Sequence, residues 1–360
     1  MDVRRHLQAR DDAVNIRSMT WSNDMKTRIQ LKLEVQSWPL KVPFRITGHV
    51  WEHLDIVICA LSRNGHIGRG EGTGVYYRGE TAATLKAQIE AVRGEIEAGI
   101  RREALQDLLP AGGARNAVDC ALWALESREQ GIPAWQLAGL ERPRPLLTTF
   151  TLGADSPEVM AGRAEAVELA RALKLKLVGD GQDAQRVQAV RAARPDVWLG
   201  VDANQAFDRA AVEAMLPLLV DERVALLEQP CRIGAEEELR GLNSPIPLAA
   251  DESVQTSADL DVMRGLFDVI NIKLDKCGGL TEGLIMARRA RELGFEVMVG
   301  NMIGTSLSCA PAFLVGQLCQ VVDLDGPWHL ARDIEPGVVY AEGRVDCPPG
   351  VWDHSAETTR

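Results

Sequence analysis

Residues 173–180 read LKLKLVGD, and the same kind of short apolar run ending in polar residues returns at 199–205 (LGVDANQ), 225–230 (ALLEQP), 247–253 (PLAADES) and 269–276 (VINIKLDK). Runs at 148–153 (TTFTLG), 296–302 (EVMVGNM) and 321–327 (VVDLDGP) bring the number to eight. From Lys176 to Asp202, Glu228, Asp251 and Lys273 the steps are 26, 26, 23 and 22 residues, and Asn301 to Asp323 is another 22. A near-constant step of that size is one strand, one helix and two loops, the repeat of a β/α barrel. Residues 184–193 and 282–293 carry helical period, and Gly294 supplies a stop. After the eighth run come Trp328-His329-Leu330 and Pro336-Gly337, with no long helical pattern. The expected fold class is therefore α/β, a (β/α)7β barrel (a modified TIM barrel) over residues 145–332.

Working outward, residues 28–37 (RIQLKLEVQS) alternate apolar and polar, and 54–61 (LDIVICAL) is β-branched and followed by Arg63-Asn64-Gly65. Residues 81–94 and 114–130 then switch to helical period. Strands followed by helices give an α+β capping domain over 25–144, with 333–360 a tail that folds back on it. Residues 1–24 read as a solvated extension. The start has basic residues but no apolar run of signal-peptide length, and no stretch reaches the roughly 18 apolar residues of a spanning helix. Seven scattered cysteines with no metal-ligand spacing point to a reducing, cytoplasmic setting. A balance of 40 basic against 51 acidic residues, net −11, disfavours nucleic acid and anionic membranes as partners.

Barrel chemistry sits at the carboxyl ends of the strands, where the loops converge on one cavity. Three consecutive units place an acid there: Asp202, Glu228 and Asp251. Any one of them could simply cap the next helix. Three in register, flanked by lysines, exceed what capping explains. Carboxylates that repel one another in one cavity are made tolerable by a hard divalent cation, and magnesium, one per subunit, fits best. Lys174 and Lys176 are two apart and share a strand face, with Leu173, Leu175 and Leu177 on the other. Lys273 lies on the sixth strand, across the barrel from the second. Two lysines approaching one carbon from opposite sides can remove a proton from one face and return it to the other. Lys276 reads as an ordinary loop lysine.

The set KLK, DAN, EQP, ADES and NIKLDKCGG resembles the muconate lactonising enzyme subgroup of the enolase superfamily, over nearly the whole chain from about residue 27 to 345. Lysine bases with magnesium are a documented arrangement of that superfamily. Asp323-Leu324-Asp325 is similar to the Asp-x-Asp motif of dipeptide epimerases, and the runs 109–123 (LPAGGARNAVDCALW) and 271–282 (NIKLDKCGGLTE) look like those of bacterial L-Ala-D/L-Glu epimerases. The resemblance implies an isomerase that inverts the α-carbon of the C-terminal residue of a dipeptide, by magnesium-assisted 1,1-proton transfer through an enediolate. Asp202, Glu228 and Asp251 would be metal ligands, and Lys176 and Lys273 the acid/base pair. Lys174 would assist Lys176 and contact the substrate carboxylate, while Asp323 and Asp325 would hold the α-ammonium group.

In family members that prefer glutamate as the second residue, a basic side chain is expected in the loop after the first small-domain strand, here residues 44–51 (FRITGHVW). Arg45 is the basic residue available, and Gly48 stands at the place of the expected arginine. Trp51 with Tyr76 and Tyr77 leaves room for an apolar or aromatic substrate side chain, so an acidic and an apolar second residue both stay open. Gly68-x-Gly70-x-Gly72-x-Gly74 lacks dinucleotide-fingerprint spacing, which excludes a nucleotide cofactor. An N-acylamino acid racemase, an o-succinylbenzoate synthase or a muconate cycloisomerase would use the same lysines and metal, but would have no use for the Asp-x-Asp pair. Mandelate racemase chemistry would want a histidine–aspartate pair where Lys273 stands. A non-enzymatic barrel would need a lost ligand or base, and none is missing. The oligomeric state stays open between a monomer and a homo-oligomer.

Overall fold

The computed structural model describes residues 28–353; the expected extension over residues 1–24 lies outside the described residues. The chain opens with an antiparallel meander, β1 (Gln30–Ile46), β2 (His49–Arg63) and β3 (His66–Gly72). β1 and β2 run well past the expected strands, so residues 44–51 are the tip of a β-hairpin rather than a loop: Phe44 pairs with Trp51 and Ile46 with His49. Gly48 turns the tip at φ 72°, which a glycine adopts at little cost. Alternation splits β2 between two cores: Val57, Cys59 and Leu61 pack under the cap helices, and Ile56 and Ile58 join the main core.

The cap helices are α1 (Ala82–Ala91), α2 (Arg93–Glu97), α3 (Arg102–Leu108), α4 (Gly113–Gln130) and α5 (Ala134–Leu137). α4 lies directly on β3, and the glycine run explains the fit. A Cβ at Gly68 would stand 2.1 Å from the Ala121 carbonyl oxygen, and one at Gly70 2.1 Å from that of Ala117. The glycines let a helix and a strand touch backbone to backbone.

After the short β4 (Leu146–Leu147), eight parallel strands follow in strict order: β5 (Phe150–Leu152), β6 (Ala172–Lys176), β7 (Trp198–Asp202), β8 (Leu226–Glu228), β9 (Leu248–Ala250), β10 (Val269–Lys273), β11 (Glu296–Gly300) and β12 (Val321–Asp323). The Thr149 N–H donates to the Val322 carbonyl at 3.0 Å and joins the first strand to the last. Helices α6 (Pro157–Ala166), α7 (Asp183–Ala193), α8 (Arg209–Asp221), the short α9 (Leu274–Cys277) with α10 (Leu280–Glu292), and α11 (Ser306–Gly316) cover the outside. The crossovers after β8 and β9 differ from the even repeat, since each holds only 3-10 turns. After β8 the reason is local: Gly234, Gly241 and Asn243 take positive φ and Pro245 and Pro247 follow, leaving no uninterrupted run for a helix.

The tail forms a hairpin, β13 (Val339–Ala341) and β14 (Arg344–Asp346), added to β4. It then reaches the cap, where Trp352 Nε1 donates to the Arg69 carbonyl at 2.9 Å and the Ala134 N–H donates to Asp353 at 2.6 Å. All seven cysteines are free thiols. No helix among the described residues is long and apolar enough to cross a membrane.

Gly70→Ala should lower unfolding stability by about 2 kcal/mol or more, because the added methyl meets fixed backbone rather than a flexible side chain. Gly94→Ala, where a Cβ would meet nothing within 4 Å, should be neutral or slightly stabilising. Denaturant titration of both variants against the parent checks this.

Candidate active site

Strand alternation decides which side chains meet. In β6, Leu173 and Leu175 pack outward on the helices, and Lys174 and Lys176 point into the barrel; in β10, Ile270 and Ile272 pack outward, and Asn271 and Lys273 point inward. Below them Leu226, Ala249, Val269 and Met298 fill the barrel floor. The parallel register sets Lys176 beside Asp202 and Asp202 beside Glu228, and Asp251 follows directly on β9. Carboxylate oxygens of Asp202, Glu228 and Asp251 lie within 4.8 Å of one another, all three residues fully buried.

Each acid has a cationic partner. Lys176 Nζ donates to Asp202 at 2.5 Å and Lys273 Nζ to Asp251 at 2.6 Å. Lys174 Nζ donates to Glu228 at 3.1 Å and, more closely, to Asp323. Burial opposes ionisation of Asp202, Glu228, Asp251, Lys174 and Lys273 alike, and the neighbours decide the outcome. Burial and the charge of Asp202 push Glu228 up to about 8. For Asp251, burial is outweighed by Lys273 and Lys276, and the carboxyl is held far below the usual range. For Lys273, burial is outweighed by Asp251, which holds the ammonium form.

Six buried carboxylates, Asp202, Glu228, Asp251, Glu252, Asp323 and Asp325, face four buried lysines, Lys174, Lys176, Lys273 and Lys276. A divalent cation bound among them would favour the ionised form of Glu228. An all-oxygen donor set suits a hard ion such as magnesium. The outer contacts orient the donors: Asn271 Nδ2 donates to Glu228 Oε1 at 2.8 Å, and the Asn204 N–H to Asp202 at 2.8 Å. These residues fit a magnesium ion.

Lys276 is the clearest correction to the sequence reading. It is not a loop lysine in water but is completely buried, donating to Asp251 Oδ1 at 2.6 Å, to the Asp251 carbonyl and to the Asn271 carbonyl at 3.1 Å. The single-turn helix α9 folds it back beneath the site. Asn271, two residues before Lys273, shares its strand face, a period-2 signal present in the sequence.

On the far side, Asp323 accepts from Thr149 Oγ1 at 2.5 Å as well as from Lys174. Asp325 accepts from the Thr151 N–H at 2.5 Å and is 3.1 Å from His329 Nε2, a partner the sequence had not singled out. The cavity, about 640 Å³, is a small-molecule volume. Lys174, Lys176, Asp251, Lys273, Asp323 and Asp325 line its base, while Phe44, Ile46, His49, Trp51, Tyr76 and Tyr77 close it from the cap. Thr47, at the hairpin tip, donates to the Leu177 carbonyl at 3.2 Å and ties the hairpin to the barrel rim. Arg45 is corrected here: it is exposed and does not line the cavity, because alternation that turns Phe44 and Ile46 inward turns it outward.

Two family models cover the chain: the mandelate racemase/muconate lactonizing enzyme N-terminal domain matches residues 28–139, and the enolase C-terminal domain-like model matches residues 159–351. The chain belongs to the mandelate racemase/muconate lactonizing enzyme family. Among members of that family it is similar to the L-Ala-D/L-Glu epimerase of Escherichia coli (strain K12), 39% identical over 88% of this chain and 98% of the relative. An enolase family member from Agrobacterium tumefaciens, solved with bound sodium and L-Ala-L-Glu, superposes with a TM-score of 0.87 at 38% identity, covering 90% of this chain and 99% of that one. A dipeptide epimerase from Enterococcus faecalis V583, solved with Mg and L-Leu-L-Tyr, gives 0.82 at 29% identity, covering 92% and 99%.

Lys276→Met should destabilise the fold by about 3 kcal/mol, because it leaves the Asp251 carboxylate and two carbonyls without their buried donor. Chemical denaturation checks the value; a change under 1 kcal/mol would mean that water takes over the contact.

Proposed function

We propose that this protein is a dipeptide epimerase, an isomerase that inverts the α-carbon of the C-terminal residue of a dipeptide by proton transfer between two lysines. The observation that carries this reading is the placement of Lys176 on β6 and Lys273 on β10, four strands apart in an eight-stranded barrel and therefore facing each other across one cavity. The dipeptides held by the Agrobacterium and Enterococcus relatives support the substrate class.

Asp202, Glu228 and Asp251 would hold the magnesium ion. When bound, it supplies positive charge against which the substrate carboxylate takes up the second negative charge created by loss of the α-proton. Removing that proton in water is slow because the dianion is unstable; a dry site already carrying cations lowers its cost by several kcal/mol. Lys176 takes the α-proton from one face of the L epimer, and Lys273 delivers a proton to the other face to give the D epimer. Lys174 sits beside Lys176, 3.7 Å from Asp202, and adds positive charge near the carboxylate. Asp323 and Asp325, backed by Thr149, Thr151 and His329, receive the free α-ammonium group, which fixes the dipeptide with its C-terminal α-carbon between the lysines.

Chelation of divalent ions should abolish both epimerisation and deuterium incorporation from heavy water, and full activity in metal-free protein would remove the metal from the scheme. Lys176→Ala and Lys273→Ala should each stop interconversion. Each variant should retain deuterium exchange without inversion on the one epimer whose α-hydrogen faces the surviving lysine, read by mass spectrometry; near-parental epimerisation by Lys273→Ala would place the second base elsewhere.

Blocking the substrate amine should cost about one to two decades in kcat/KM, since a charge-assisted contact to an ammonium is worth roughly 1.5–3 kcal/mol. Replacing Asp323 and Asp325 by Asn should erase that gap and spare metal affinity. N-succinylamino acids outperforming every free dipeptide would instead favour an N-acylamino acid racemase.

A further inference from the structure

The half of the cavity built by the cap is a wall of rings with acids at its rim. The hairpin register places Phe44, Ile46, His49 and Trp51 on the face turned to the cavity. Centroids of His49 and Trp51 lie 4.0 Å apart, and Trp51 meets Tyr76 edge to face at 5.2 Å. Phe44 packs on His329 at 4.8 Å, at the end of the cavity occupied by Asp325. The hairpin therefore spans the cavity from the ammonium end to the carboxyl ends of β6 and β7, where Thr47 anchors its tip.

The cap contributes no lysine or arginine to this lining among the described residues; its acids there are Glu52, Asp55 and Glu80, and its imidazoles His49 and His53. The lysines that line the cavity all belong to the strand ends, each already paired with an acid. A substrate carboxylate side chain turned toward the cap would lose water and find no lysine or arginine to pair with. A lysine or arginine side chain fares little better. Glu52 and Asp55 are exposed to water, and Glu80 already accepts from the Val75 and Gly113 N–H groups at 3.0 and 3.1 Å. The chemistry offered in quantity is aromatic surface, which a flat or branched apolar group covers well.

On the reading of the preceding subsection, the substrate carboxylate faces the metal site, the peptide nitrogen leads toward the N-terminal residue whose ammonium faces Asp323 and Asp325, and the α-hydrogen faces a lysine. The remaining substituent of the α-carbon points to the cap. We propose that the residue inverted by this protein carries an aromatic or large apolar side chain packed on His49, Trp51 and Tyr76, and that a glutamate side chain is selected against.

The test is a kcat/KM series in heavy water with L-Ala-L-Phe, L-Ala-L-Leu, L-Ala-L-Ala, L-Ala-L-Lys and L-Ala-L-Glu. Phe and Leu should exceed Glu and Lys by roughly tenfold or more. Trp51→Ala, and Tyr76→Leu as a second variant, should narrow that gap by losing more rate on Phe and Leu than on Glu and Lys. Glu or Lys dipeptides turned over as fast as Phe, or a gap unchanged in both variants, would overturn the assignment. Should free dipeptides fail and N-succinylamino acids react, the epimerase reading falls alone. The order among N-succinyl-Phe, -Leu and -Glu then decides this proposal, and Glu in first place defeats it. Exchange on neither series defeats both.

Discussion

The centre of this molecule depends on one constraint: ten ionisable groups are buried together at the strand ends, and every charge among them needs an opposite charge within contact distance. An isolated buried ion is far too costly to keep, and removing one partner of a buried pair strands the other. The barrel satisfies the constraint for most of them because each parallel strand delivers an inward side chain at the same height as its neighbour's; Glu252, pushed up to about 7 mainly by burial, has the amides of Asn204 and Gln205 as partners instead. Lys176 meets Asp202, Lys273 meets Asp251, and Lys174 reaches both Glu228 and Asp323. Glycine makes the space. A Cβ at Gly300 would stand 2.9 Å from both Lys273 Cε and Asn271 Oδ1, so Lys273 can cross this part of the barrel only beside a residue without a side chain.

A second buried polar layer joins cap to barrel. Arg115 on α4 donates to the Cys277 carbonyl at 2.6 Å, and Asp119 accepts from the Thr281 N–H at 2.9 Å. Gly278 and Gly279 lie under those side chains, with positive φ and no room for a Cβ. Asn116 Nδ2 reaches Asp275 at 3.2 Å, and Glu71, pushed up to about 8 mainly by burial, accepts from the Thr305 N–H at 2.9 Å. Directional bonds of this kind set one docking orientation where apolar packing alone would tolerate several. On the proposed function this gives a division of labour: the barrel would hold the groups that move protons, and the cap, fixed by this joint, the rings that would meet the substrate side chain.

The eight strands and eight of the ten buried acids and lysines of the strand ends, all but Glu252 and Lys276, were legible in the sequence because both signals are local. Period-2 alternation assigns a side chain to a face, and a step of 22 to 26 residues returns the chain to the same end of the barrel. The runs 109–123 and 271–282, which carry part of the family resemblance, turn out to be the two sides of the cap–barrel joint; neither run by itself shows that it faces the other. The glycine run 68–74 was legible as something other than a nucleotide loop, but its purpose, contact with α4, lies in a helix some fifty residues further on.

By itself, then, the sequence determined the barrel and most of the charged residues at its mouth, which rest on periodicity and residue type, while the family was legible through the resemblance carried by KLK, DAN, EQP, ADES and NIKLDKCGG. Tertiary structure decided the rest. Lys276 became a buried partner of Asp251 because a single helical turn folds it under the site. Arg45 left the cavity because β1 and β2 continue through residues taken for a loop, and alternation in that hairpin turns it outward. His329 met Asp325 because a 3-10 turn after β12 brings residues four apart together. Each of these depends on where the chain bends after a regular element ends. That is set by packing between distant segments, about which a local pattern of apolar and polar residues carries no information.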